Sequence, residues 1–244
     1  MTPRQLALPL PTSEDYSATA FLPDDSNAQA RAWLAEPRRW PMGRIALFGP
    51  PGAGKTHLLR ATAAARGWRV LDGAGLRDLP DAAPTALDDA DLVPDDTALF
   101  HLINACAEAG APLLLAGRAP PARWATPLPD LASRLRATTA TGLAEPSDAL
   151  LSALLARHFG QAGLIVDAGV QDWLLLRLPR EAAAVREAAA RIDRASLAER
   201  GRVTRAMVRG ALADWDGFAP DDAPHHDGFL AIAQTHSPDV GPLL

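Results

Sequence analysis

The chain has 244 residues, enough for one large domain or two modest ones that bury roughly 70–75% of the unfolded surface. Hydrophobic residues at 48% and charged residues at 22% exclude a wholly disordered protein, and a net charge of −5 excludes the global basic field that drives autonomous DNA binding. Among the 24 Lys+Arg, the one lysine is Lys55. The single cysteine, Cys106, cannot form an internal disulfide and falls in an Ala-rich run, so it reads as a small buried hydrophobe in a reducing compartment. No apolar run approaches about 18 residues and the N-terminus lacks a charged region followed by an apolar one, so a cytoplasmic protein is expected.

In chain order, residues 1–15 (MTPRQLALPLPTSED) are interrupted by Pro3, Pro9 and Pro11 and then turn polar, which reads as an extended tail. From Arg44 to Leu143 short apolar runs alternate with helical patterns, as in βα units around a mainly parallel sheet. RIALF (44–48) is the first predicted strand, THLLRATAAARG (56–67) a helix closed by Gly67, and WRVL (68–71) the second strand. A third strand ends at Leu87, although PTAL is short and weak for a buried strand. Residues 95–110 form a predicted helix between an Asp cap and Gly110, PLLLAG (112–117) a buried strand, 128–136 a helix and 137–143 the last strand. Beyond Pro146 the pattern is helical only, over 147–163, 167–179, 180–201 and 203–215, with Ser147, Asp167 and Thr204 where N-caps belong. The predicted organisation is a tail (1–15), an α/β nucleotide-binding unit (16–145), a small helical lid (146–215) and a second, Pro- and Gly-broken tail (216–244).

GPPGAGKT (49–56) matches the whole G-x-x-x-x-G-K-[ST] pattern and lies between a predicted strand and a predicted helix, where phosphate binding needs it. Gly49, Gly52 and Gly54, with Pro50, Pro51 and Ala53 between them, let the backbone curl so that N–H groups face phosphate oxygens, and the helix adds its positive N-terminal end. Lys55 is expected on the β- and γ-phosphates, and Thr56 on Mg²⁺ through its hydroxyl. The metal also needs a carboxylate at the end of a neighbouring strand. In Leu87-Asp88-Asp89, Asp88 is assigned to Mg²⁺ and Asp89 to the attacking water. The alternative is a solvated acidic loop shared with Asp81, Asp91, Asp95 and Asp96. His57, next to Thr56 at the cofactor site, reads as a packing residue rather than a catalyst, and His225 and His226 have no metal-ligand spacing around them.

Over residues 5–214 the sequence resembles the AAA+ ATPases, and within them the central ATPase domain of the bacterial replication initiator DnaA in its truncated regulatory form, the regulatory inactivator of DnaA (Hda) family. FLPDDSNAQARAWL (21–34) is similar to the segment that wraps the adenine, GPPGAGKTHLLRA to the phosphate loop, and LDDAD to the second acidic motif. LLLAGRAPPARW resembles the strand and turn that carry sensor 1, LPDLASRLR the box ending in the arginine finger, and AAVREAAARIDR the helix of the sensor 2 arginine. The resemblance places the finger at Arg134 and sensor 2 at Arg186. By composition alone, Arg136 competes with the first, and Arg191 and Arg194 with the second. Where the family's sensor 1 is polar, this chain has Ala116-Gly117, so weak intrinsic hydrolysis is expected. Only a short, broken segment follows Leu212, too little for a helix-turn-helix, so no sequence-specific DNA binding is expected.

Gln5-Leu6-Ala7-Leu8-Pro9-Leu10 is similar to the peptide with which bacterial replication proteins dock on the sliding clamp, with Gln5, Leu6, Leu8 and Leu10 as anchors in an apolar pocket. The resemblance thus implies a regulator of replication initiation that binds ADP or ATP with Mg²⁺, tethers to the clamp (DNA polymerase III beta subunit) and promotes hydrolysis of DnaA-bound ATP. Two other readings stay open: a stand-alone ATPase of the helicase-loader kind, and a nucleotide-gated clamp adaptor that does not stimulate hydrolysis. Self-association stays open as well.

Overall fold

Five short strands pair in parallel in the computed structural model, which describes residues 21–77, 82–199 and 202–219, and their order is β2-β3-β4-β1-β5. They are β1 (Arg44–Phe48), β2 (Arg69–Asp72), β3 (Thr85–Asp88), β4 (Leu113–Gly117) and β5 (Thr139–Gly142). Four helices alternate with them: α1 (Ala28–Ala35), α2 (Lys55–Arg66), α3 (Asp96–Glu108) and α4 (Pro129–Arg136). The strands sit where the apolar runs place them. The weak third run is β3, hydrogen-bonded on both edges to β2 and β4 and buried along its length. In that position Ala86 and Leu87 need only be small and apolar, because two neighbours supply the ladder. Helix α1 begins within the segment that the resemblance assigns to the adenine and ends one residue beyond it.

Alternation along the strands divides the apolar residues between two faces. Ala46, Leu87, Leu113 and Leu115 pack against Leu99, Leu102, Ile103 and Cys106 of α3 and Leu131 and Leu135 of α4. Ile45, Leu47, Ala86, Leu114 and Ala116 pack against Ala30 and Leu34 of α1 and Leu58, Leu59 and Ala63 of α2. Cys106 is a buried free thiol, and burial raises its pKa.

A third apolar core lies beyond Pro146, among α5 (Asp148–Gln161), α6 (Ala168–Leu175), α7 (Ala182–Glu199) and α8 (Arg205–Leu212). Leu155, Phe159, Trp173, Leu174, Val185, Ile192, Val208 and Leu212 form its centre. Helices α5, α6 and α8 begin on side-chain caps: Ser147 Oγ accepts the Leu150 N–H at 3.1 Å, Asp167 Oδ1 the Gly169 N–H at 2.9 Å, and Thr204 Oγ1 the Met207 N–H at 3.3 Å. The predicted helix over 167–179 stops at Leu175 because the chain then turns through Leu178-Pro179 into α7. No helix among the described residues is long and apolar enough to cross a membrane.

Candidate nucleotide-binding site

Parallel strands deliver their C-terminal ends to one edge of the sheet, and the glycine-rich loop is built there between β1 and α2. Gly49 passes so close to β5 that a Cβ would collide with the Leu143 carbonyl oxygen. Gly54, with φ of 91°, opens α2 in a left-handed conformation that disfavours any side chain, and no side chain caps the helix. The first N–H groups of α2 thus face the loop, as an anion site requires. Pro50 and Pro51 are exposed on the loop, and Ala53 packs with Phe21 against the α2 face of the core. Lys55 folds back over the loop: its Nζ donates to the Gly49 carbonyl at 2.8 Å and the Pro50 carbonyl at 2.9 Å. Burial lowers its pKa, and the carboxylates of Asp89, Asp91 and Asp88 oppose that shift.

Thr56 and Asp88 meet across the gap between α2 and β3, with Thr56 Oγ1 donating to Asp88 Oδ1 at 3.2 Å. Asp88 is only 6% exposed, so the solvated-loop alternative does not describe it. Burial raises its pKa, against the Thr56 hydrogen bond and Arg60, whose Nε lies 3.9 Å from Oδ2. A hydroxyl and a carboxylate are hard oxygen donors and fit Mg²⁺, which takes one or two carboxylates and completes its shell with phosphate oxygens and water. Among the described residues no group of three His, Cys, Asp or Glu could hold a metal by itself. Asp89 follows in a left-handed conformation, φ 47° and ψ 43°, rare outside glycine and tolerated by Asp. The turn fits because Gly73 lies against it; a Cβ on Gly73 would collide with the Asp89 carbonyl.

The opposite wall is the segment before α1. The Phe21 ring meets His57 edge-on at 5.4 Å and comes near Gly54. Asp24 ties the segment to the start of α5 by accepting from Ser147 Oγ at 2.5 Å, and the Ser26 carbonyl accepts the Ala144 N–H at 3.0 Å. The helical unit reaches the loop through the start of α7: Glu181 lies against Gly52, where a Cβ would run into its side chain. Its neighbour Arg180 donates to Asp148 Oδ1 at 2.5 Å and the Pro146 carbonyl at 3.3 Å. Arg186 is exposed on α7, five residues beyond Glu181. At about 1.5 Å per residue that is roughly 7.5 Å along the helix.

Arg134 occupies the other edge of the sheet. It lies in the last turn of α4, before β5 begins, and its carbonyl accepts from Nη2 of Arg44, the first residue of β1, at 3.2 Å. The loop follows the last residue of β1, roughly 13 Å away at about 3.3 Å per strand residue. The Arg134 guanidinium is half-buried, 5.2 Å over the Phe100 ring of α3, whereas Arg136 is exposed. Arg44 itself is 2% exposed and is held by Thr138 Oγ1 at 2.8 Å as well.

No family model matches the sequence. Among solved structures, domain III of the replication initiator DnaA from Thermotoga maritima superposes with a TM-score of 0.68 at 16% identity, covering 86% of this chain and 100% of that one. RuvB from the same organism gives 0.63 at 15% identity, over 81% and 71% of the two chains. AMPPCP-bound DnaA from Aquifex aeolicus gives 0.58 at 19% identity, over 74% and 65%.

The fold is that of the AAA+ ATPases.

Within this AAA+ architecture the sequence-assigned residues fall into three places. The loop residues Gly49 to Thr56, with His57, Asp88 and Asp89, come together at the strand ends. Arg134 stands at the opposite edge, and Arg186 lies on α7 five residues after Glu181, which touches the loop. Gln5, Leu6, Leu8 and Leu10 lie outside the described residues. Sequence reasoning missed Glu181, for which a charge just before a helix gives no signal, and left Asp91 among the solvated acids, although its carboxylate accepts the Arg118 N–H at 2.9 Å.

Proposed function

We propose that this AAA+ protein binds ADP or ATP with Mg²⁺ and acts as a regulator of replication initiation, docking on the sliding clamp and promoting hydrolysis of ATP held by DnaA. The observation that carries nucleotide binding is the loop with its Thr56–Asp88 pair. Similarity in fold to DnaA, together with the sequence resemblance to its regulatory inactivators, supports the replication context. The Aquifex aeolicus DnaA to which the chain is similar is bound to AMPPCP, which favours an adenine nucleotide here.

In this reading the loop N–H groups and the start of α2 receive phosphate oxygens, and Lys55 exchanges its two carbonyl partners for phosphate. Bound Mg²⁺ supplies charge neutralisation between phosphates; Thr56 and Asp88 are the residues that would hold it. Asp89 orients water beside them. Phe21 covers the nucleotide on the side away from the sheet, and α7 closes the loop side, so that either lid arginine, Arg180 or Arg186, serves as the sensor. Arg134 stands too far along the sheet for its own nucleotide, which suits a finger offered to a partner's site across an interface. Gln5, Leu6, Leu8 and Leu10 anchor the tail on the clamp.

The test is hydrolysis of DnaA-bound ATP with this protein, clamp and DNA each omitted in turn. The proposal expects stimulation only with all three, and retention of this protein on the clamp until Leu6 and Leu8 are both changed to Ala. Clamp retention without stimulation selects the adaptor. Rapid ATP turnover by the protein alone selects the stand-alone ATPase, for which the acidic cluster of Asp88, Asp89 and Asp91 beside Lys55 is the favouring observation.

A further inference from the structure

Glu181, the residue before α7, meets the phosphate loop at its middle glycine. A Cβ on Gly52 would stand 2.7 Å from the Glu181 Cβ and 2.8 Å from its carboxylate carbon Cδ, so the side chain lies along the bare Cα of Gly52. Because Cδ itself is in contact, the negative charge sits against the loop whichever way the two oxygens turn. Glu181 is half-buried, and its backbone is tied down: its N–H donates to the Pro179 carbonyl at 2.7 Å and its carbonyl accepts the Val185 N–H at 3.2 Å. The loop lysine and the adjacent arginine are turned elsewhere. Lys55 Nζ donates to the Gly49 and Pro50 carbonyls, and Arg180 to Asp148 and the Pro146 carbonyl.

A carboxylate at the start of a helix gains from the positive end of that helix, and this would be a sufficient role for Glu181 anywhere but here. The loop beneath it is built to gather the same sign of charge: its curled N–H groups and the start of α2 suit phosphate oxygens. Two like charges brought within several Å of each other in a half-buried site repel, because solvent screens them only in part. Resting on the nucleotide reading above, we propose that Glu181 is a built-in competitor for the phosphate loop: its carboxylate and the nucleotide phosphates cannot share Gly52 without cost, so binding drives the carboxylate off the glycine. The helical unit thereby sets nucleotide affinity, and a contact that draws the start of α7 away from Gly52 tightens binding.

The test is equilibrium binding of a fluorescent probe, N-methylanthraniloyl ADP, to the full chain, with wild-type protein and with Glu181→Gln, which keeps the size of the side chain and removes its charge. Affinity in Glu181→Gln rises by about three- to tenfold, the scale of one unit charge removed several Å from the phosphates in a half-buried site. The gain is at least as large in EDTA, where no Mg²⁺ offsets the phosphate charge, and it shrinks as NaCl is raised from about 0.05 M to about 0.5 M. Glu181→Ala, the variant to read if Glu181→Gln does not fold, shifts affinity in the same direction. Equal or weaker affinity in Glu181→Gln overturns the inference. A lower melting temperature with unchanged affinity is one form of that result, and would leave Glu181 serving only the start of α7. A gain seen with Mg²⁺ and not with EDTA also overturns it, because Glu181 would then act at the metal. Failure of the wild-type protein and of both variants to bind the probe overturns the nucleotide reading itself, whereas binding by the variants alone supports the competitor.

Discussion

At the scale of single residues, Lys55 and Asp88 are both groups whose charged form burial disfavours. Lys55 is half-buried and drawn over two carbonyls, a compact charge held where a phosphate would take it. Lys55→Arg keeps the charge but replaces a point donor with a wide planar fork, and N-methylanthraniloyl ADP affinity should drop by at least about tenfold, near 1.4 kcal/mol. Wild-type affinity in that variant would detach the lysine from the phosphate role. Asp88 is buried with its pKa raised, so its charged form costs the folded state stability at neutral pH, and this cost is relieved as pH falls through the raised value. Asp88→Asn should therefore raise the melting temperature of the nucleotide-free protein while abolishing the Mg²⁺ gain in binding. Calorimetry and probe titration on one sample check both. The loop and Asp88 were legible in the sequence because the pattern is local and its spacing is fixed. Asp91 was not, because its meaning depends on β4 arriving beside it, and adjacency across a sheet leaves no mark in a single chain.

At the scale of elements, legibility followed local signals. Ser147, Asp167 and Thr204 announce their helices because a side-chain cap is a contact made within three residues. Thr85–Asp88 looked too short for a buried strand, and only its two neighbours explain why it suffices. On α7 the resemblance led to Arg186, while the structure brings Glu181 to the loop; the register of a lid helix against a loop is tertiary information. Helix α5 carries a pH response. His158 has its pKa lowered by burial first and by Arg157 and Arg186 next, so the folded state disfavours the protonated ring. The unfolded chain takes up that proton in the ordinary histidine range and the folded one does not. Stability is full above that range and is lost as pH falls through it toward the lowered value. Melting curves from about pH 7.5 to about pH 5.5 should show a decline that His158→Gln reduces; an unchanged pH slope in the variant would assign the effect elsewhere.

At the scale of the whole molecule, two sheet-face cores and a separate helical core are joined near the loop by Ser147 on Asp24 and by Glu181 against Gly52. Leu155, 0% exposed at the centre of the helical core, should cost about 2–5 kcal/mol when changed to Ala, read by denaturant unfolding. The strands of the sheet separate the loop from Arg134. Their C-terminal edge holds the phosphate loop, and their opposite edge holds Arg134, fixed through its carbonyl by the buried Arg44 and through its guanidinium by Phe100. In the proposed function this arrangement binds one nucleotide and offers a cation to another. The most direct measurement is the rate of hydrolysis of DnaA-bound ATP in the presence of clamp-loaded DNA, with wild-type protein and with Arg134→Ala at equal clamp occupancy. Loss of stimulation by about 10³-fold or to the background rate is the expected result, as for removal of an arginine finger. Stimulation that survives the substitution would contradict the assignment of Arg134 and with it the proposed action on DnaA.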